Sequence, residues 1–147
     1  MKEQIYRHCL QLLNHKIEDL TQALLNVTEA GNNETKSTAG DKHETARAMM
    51  QLEQEKLGKQ LKEIQEQKTE LEKINISKSS IQIAKGTLIQ SDKGFLFLSI
   101  GLGKIVVDEK TVIAISPQSP LGKLLVGKKE NDSVEMNGVA YTIERLF

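Results

Sequence analysis

The chain has 147 residues, and its 20 lysine and arginine side chains are balanced by 20 aspartates and glutamates. That length suits one ordinary domain or two small ones, and the balance gives no reason to expect bulk attraction to nucleic acid or to an anionic membrane. Aromatic residues are only 3% of the chain and tryptophan is absent, which argues against stacking platforms for single-stranded nucleic acid.

The N-terminal segment repeats every three and four residues. Tyr6, Leu10, Leu13, Ile17, Leu20, Leu24 and Val27 alternate steps of four and three, which is a heptad seam. Ile5, Cys9 and Leu12 widen it near the start. The pattern predicts a helix from about Lys2 to Val27 or a little beyond. Cys9 is the single cysteine, so no internal disulfide can form, and this fits a reducing cytoplasm. The opening "MKEQIYRHCLQLLNHK" lacks the apolar run of a signal peptide, and no stretch is apolar over enough residues to span a bilayer. The expectation is a cytoplasmic protein.

"TEAGNNETKSTAG" follows. Gly31, Asn32, Asn33 and Gly40 disfavour continued helix. A second helical pattern runs from about Asp41 to Ile74, with Met50, Leu57, Leu61, Ile64 and Leu71 in heptad phase and Gln54 and Lys68 on the same seam. Two long helices of similar length joined by a short polar link are expected to pack as an antiparallel hairpin, residues 1–75, with its tip near 31–44. An intermolecular coiled coil is the alternative that a heptad alone would favour.

After "NISKSS" the period becomes two and β-branched residues appear. "GTLIQ", "GFLFLSI", "KIVVD", "TVIAIS", "DSVEM" and "VAYTIERLF" read as strands. Asn137-Gly138 is the strongest hairpin signal. In "SPQSPLGKLLVGK", Ser119 and Pro120 form an N-cap and first-turn signature and Gly127 a stop, so a short helix interrupts the strands. Residues 76–147 are expected to form a small α+β domain with an antiparallel sheet.

Most chemical motifs are weak. Gly101-Leu102-Gly103 precedes a strand rather than a helix and reads as a turn, and "LLVGKK" lacks the upstream glycine and following hydroxyl of a P-loop. His8 and His15 are two turns apart, whereas zinc-binding pairs on a helix sit one turn apart. Nucleophilic catalysis has little support, and Cys9 reads as a buried flank thiol. Asp41 and Glu44 remain. As N-cap and N3 residues they would form a capping box and favour a helix start electrostatically. Bare sequence favours that capping reading, but it does not exclude a second: three residues apart on one helical turn and exposed at a tip, the two could also share a divalent cation, since magnesium often takes one or two protein carboxylates.

These features resemble a Gre-type transcript-cleavage factor of bacterial RNA polymerase. The resemblance rests on the helical hairpin followed by a small domain, on "GDKHETA" (Gly40–Ala46), and on "ISPQSPLGKLLVGKKENDSVEMNGVAYTIERL". It covers nearly the whole chain. It implies an FKBP-like C-terminal domain. It also implies a hairpin that enters the polymerase secondary channel, and stimulated cleavage of backtracked RNA by the polymerase's own active site. The chain would then be no enzyme itself, and would act as a monomer that meets nucleic acid only within the transcription complex. Asp41 and Glu44 carry over as catalytic and metal-site residues for Mg2+ shared with the polymerase and not tightly held by the free protein. Pro120 carries over as a polymerase-binding residue. Thr45 and Ala48 stand where the family usually has asparagine and an aromatic residue. Arg47, Lys56, Lys59 and Lys62 form only a thin basic stripe, interleaved with Glu53, Glu55 and Glu63. A secondary-channel regulator without cleavage and a coiled-coil adaptor are the alternatives. A prolyl isomerase is a remoter one, since aromatic residues to line such a pocket are limited to Phe95, Phe97, Tyr141 and Phe147.

Overall fold

A computed structural model describes the backbone of residues 1–34 and 40–147, and the side chains of all but residues 33–43. The architecture is α+β. Two helices, α1 (Lys2–Glu34) and α2 (Gly40–Glu72), precede six strands and one short helix. The chain divides into two compact units, one of Gln11–Lys68 and one that joins Met1–Leu10 to Thr69–Phe147. The hydrophobic period changes near residue 75, just past the end of α2 at Glu72, and the first strand begins at Leu88. The sheet-bearing unit also takes in the first turns of α1 and the last residues of α2.

Helix α1 runs past Val27 to Glu34. Glycine in a helix interior costs about 1 kcal/mol relative to alanine. A helix already nucleated gains a hydrogen bond for each residue added, so one glycine does not end it. Gly31 also faces Met50, whose Sδ would lie 3.6 Å from an added Cβ. The seam is as the spacing predicts: Leu13 is buried, and Tyr6, Leu10, Ile17, Leu20, Leu24 and Val27 are half-buried. On α2, Leu57 and Leu71 are buried, and Met50, Leu61 and Ile64 are half-buried. Gln54, polar on that seam, finds a polar partner. Its Nε2 donates to Thr28 Oγ1 at 3.2 Å, and Thr28 Oγ1 donates to Leu24 O at 2.9 Å.

The strands are β1 (Leu88–Ser91), β2 (Gly94–Leu98), β3 (Gly103–Val107), β4 (Lys110–Ile115), β5 (Ser133–Met136) and β6 (Val139–Leu146), with α3 (Pro120–Leu125) between β4 and β5. They form one sheet in the order β3-β4-β2-β1-β6-β5. The expected antiparallel sheet is corrected at one pair. β2 and β4 run parallel, with Phe95 beside Val112 and Leu98 beside Ile115. The cause is topological. Of the β3–β4 hairpin it is the second strand that pairs with β2, and this restores the direction of β2. Asn137 and Gly138 take positive φ of 53° and 79°, as the two-residue hairpin turn requires. Asp108 and Glu109 take the same handedness, with φ of 49° and 66°, without a glycine to signal it.

Leu96 and Leu98 alternate with Phe97 along β2, and all three are buried. On the first face they join Ile89, Ile143, Val134, Ile83 and the α3 residues Leu121 and Leu125 in a single cluster. On the second face Leu88 lies opposite Phe97 and Ala114 beside it. These residues are also buried, as are Ile5, Cys9 and Leu71 of the same unit. Polar contacts tie the start of α1 to this unit. Lys2 Nζ donates to Lys78 O at 3.0 Å and Phe147 O at 3.2 Å, and Lys110 Nζ lies 3.5 Å from Met1 Sδ.

Two glycines make opposite expectations. A Cβ on Gly122 would lie 2.0 Å from Ser116 O, closer than any real contact, whereas a Cβ on Gly58 within α2 would meet nothing within 4 Å. Gly122→Ala is therefore expected to lower unfolding stability by about 2 kcal/mol or more through overpacking. Gly58→Ala should raise it by about 0.4–1 kcal/mol, because alanine loses less backbone entropy. Denaturant midpoints of the two variants check the pair.

Candidate functional site

Ser119 caps α3 from an extended conformation, with φ −67° and ψ 157°. Its Oγ accepts from Gly122 N at 3.0 Å and donates to Ser116 O at 2.6 Å. Pro120 occupies the first helical position, where the missing N–H loses no hydrogen bond. Leu121, Gly122 and Leu125 are buried beneath the helix, and Pro120 is exposed. The ring is thus presented to solvent on a base clamped by a cap and a core.

The backbone of Asp41 lies in the first turn of α2, which begins at Gly40. Its side chain lies outside the described residues, and so do its pairing with Glu44 and any capping geometry. Glu44 is exposed, one turn into the helix, and makes no ion pair among the described residues. Residues three apart on a helix share one side, so the spacing of the two carboxylates is compatible with a common ligand. Arg47 follows on the next turn. With Thr28, Gly31, Asn32, Met50, Gln51 and Gln54 it lines an open cleft of about 180 Å³. Lys56, Lys59 and Lys62 are exposed, but so are Glu53, Glu55 and Glu63, and no single sign dominates this stretch.

Among the described residues, no group of three or more histidine, cysteine, aspartate or glutamate side chains gathers as a metal-binding set. His8 is half-buried and His15 exposed. No described helix is long and apolar enough to cross a membrane.

The clearest electrostatic features are ones that the sequence pattern did not single out. Glu70 receives Lys85 at 2.5 Å and Lys73 at 3.2 Å. Those hydrogen bonds, Lys85 first, hold its carboxyl below the ordinary range. Asp92 accepts the Thr142 N–H at 2.8 Å across the β1–β6 edge, and its carboxyl is likewise lowered. Both are fasteners of the sheet-bearing unit. The Lys73 contact has a helical three-residue signal. The Lys85 and Thr142 contacts join distant residues and have none. Three exposed apolar side chains, Ile81, Leu124 and Val126, were also not marked by periodicity, which registers apolar character but not burial.

No protein-family model matches the chain, and comparisons with curated proteins and with solved structures find no match either.

Cys9 is buried, and burial pushes its thiol up to about 11. The thiolate is therefore scarce at neutral pH. Native Cys9 is expected to react with iodoacetamide at pH 8 more than about a hundredfold more slowly than in denaturant, where the ordinary value is near 8.5. The linkage has a definite sign. A folded-state thiol pKa above the unfolded one leaves stability intact below about pH 8.5 and erodes it as pH rises beyond that value. Timed alkylation followed by mass spectrometry checks the rate.

Proposed function

We propose that the protein is an accessory factor of RNA polymerase, one that inserts its paired helices into the secondary channel and stimulates cleavage of backtracked RNA. The observation that carries this reading is the exposed Glu44 in "GDKHETA", at the start of a 33-residue helix that follows another of 33 residues. We read the helices as antiparallel arms. Thr28 meets Gln54 and Gly31 faces Met50, so positions rise on one helix as they fall on the other. Only residues 35–39 separate the helices, which suits a narrow tip.

Carboxylates in the first turns of α2 are favoured by the helix N-terminus, by roughly 0.3–1 kcal/mol each. A helix fixes their spacing without a pocket. Asp41 and Glu44 would accept hydrogen bonds from water and orient it toward the phosphodiester. A Mg2+ ion shared with the polymerase would supply charge neutralisation and an activated water in a two-metal displacement. One or two carboxylates suffice from this chain, because magnesium keeps most of its positions for water and substrate phosphates. Pro120, rigid and exposed on α3, is read as part of the surface that meets the polymerase at the channel rim. The sheet domain is read as FKBP-like on the sequence resemblance.

A non-cleaving regulator is the second reading. It is favoured by Thr45 and Ala48, which replace the family's usual asparagine and aromatic residue. The two readings separate by experiment. Asp41→Asn with Glu44→Gln keeps side-chain size and some capping ability while removing the charge a cation needs. Fold and polymerase binding should persist, and stimulated cleavage of RNA in stalled complexes should fall by at least about a hundredfold. Wild type that binds without stimulating cleavage at any magnesium concentration would favour the regulator. A double variant that cleaves like wild type would remove both carboxylates from the mechanism.

Pro120→Glu should leave the unfolding midpoint within about 1 kcal/mol of wild type, since the side chain is exposed and Ser119 remains as cap. Pull-down of purified RNA polymerase should weaken by at least about tenfold. A folded variant with unchanged binding would remove Pro120 from the interface.

A further inference from the structure

The open cleft of about 180 Å³ within the helical unit draws on both helices. Arg47, Gln51 and Gln54 line it from α2, and Thr28 and Gly31 from α1. Met50, half-buried, closes it against Gly31, where its Sδ would lie 3.6 Å from an added Cβ. A larger side chain at position 31 would extend into this space, so the glycine keeps the cleft open.

The cleft is rich in hydrogen-bond donors. Arg47 and Gln51 are one helical turn apart, so their side chains share a side of α2. Arg47 enters no ion pair among the described residues, and Gln51 makes no hydrogen bond among them. Gln54 is held in place by its Nε2 contact to Thr28 Oγ1 at 3.2 Å, which uses one of its two amide hydrogens. The guanidinium adds a rigid fork of donors that matches an oxyanion in bidentate fashion. No acidic side chain among the described residues lines the cleft, so it offers a cation no carboxylate. Glu29, Glu44, Glu53 and Glu55 flank it in sequence, but they are exposed and stand outside the lining. Salt screens repulsion from such exposed charges, whereas a guanidinium contact is direct.

We propose that this cleft binds the terminal phosphate of a small phosphomonoester, seated between α1 and α2 and held by Arg47, Gln51 and Gln54. Such a phosphate brings three strong acceptor oxygens and a charge near −2, which suits a donor set without acceptor competition. The volume agrees. Sites that enclose a whole drug-sized ligand run to roughly 300–1,000 Å³, so a cleft of about 180 Å³ takes a head group and leaves the rest of the ligand outside. An internal phosphodiester fits less well, because it carries one charge and must thread two substituents through a space of that size. No aromatic side chain among the described lining residues is there to stack a base. The proposal is independent of the polymerase reading, since it asks nothing of Asp41, Glu44 or Pro120.

The test uses the full chain labelled for backbone amide NMR, titrated with inorganic phosphate and with adenosine 5′-monophosphate. Acetate, dimethyl phosphate and sodium chloride at matched ionic strength are the controls. Saturable shifts centred on residues 28–32 and 47–54 are expected with both phosphate probes, half-complete at about 10 mM or below, and not with the controls. A bound ligand should also raise the unfolding midpoint. Arg47→Gln should weaken binding at least about tenfold, and Gln51→Leu by roughly threefold, as the loss of a charged and of a neutral hydrogen-bond donor implies. Both variants alter exposed side chains, and their unfolding midpoints without ligand verify that they fold. Shifts spread along the chain, equal binding of acetate or dimethyl phosphate, binding of inorganic phosphate without the monophosphate, or unchanged affinity in folded Arg47→Gln would each overturn the proposal.

Discussion

Strand β2 is apolar on both faces, and that constraint organises the sheet-bearing unit. Leu96, Phe97 and Leu98 are successive buried residues, so a two-residue period sends them to opposite sides of the sheet. A sheet buried on one side only would leave Phe97 or both leucines in water. Full burial of each such side chain is worth about 1.5–3 kcal/mol, and two covers are therefore required. Helix α3 provides the first, through Leu121 and Leu125. The second face lies in the same unit as the buried Ile5 and Cys9 of α1 and Leu71 of α2.

The need for cover explains why a six-residue helix can carry an exposed surface. An isolated helix so short would not persist in water. Here Ser119 caps it, Gly122 lets it approach the Ser116 carbonyl, and its two buried leucines anchor it to the sheet. Pro120 and Leu124 are then displayed on the outer side with little freedom left to lose on binding. The long helices work in the opposite way. Their seams are only partly buried, and among the described residues near the start of α2 Glu44, Thr45 and Arg47 are exposed. On the proposed function, such a surface would make its contacts by reach and charge, and would complete a catalytic centre in another protein without a pocket of its own.

Much of this architecture was legible in the sequence because it follows from local pattern. The period of two over "GFLFLSI" and "TVIAIS", the Asn137-Gly138 turn and the Ser119-Pro120 start all act over a few residues, and each is found as an element of the fold. The parallel β2–β4 pair was not legible, because alternation says which face a residue takes and nothing about which strand lies beside it. The end of α1 was misjudged because glycine and asparagine propensities are small beside helix propagation. The positive φ values of Asp108 and Glu109 had no glycine or asparagine to announce them. Of the candidate site, Glu44 and Pro120 are exposed, which is as far as their motifs are followed in the structure. The side chain of Asp41 lies outside the described residues.

The central claim is that the start of α2 reaches the catalytic centre of RNA polymerase. Site-specific photocrosslinking tests it most directly. A photoreactive residue at Ala48, exposed and one turn beyond Glu44, leaves both carboxylates in place. In a reconstituted, backtracked elongation complex, the account predicts crosslinks to the polymerase segment bearing its catalytic aspartates or to the 3′-proximal RNA. Crosslinks confined to the polymerase's outer surface, to a second copy of this chain, or absent despite stable binding would contradict it.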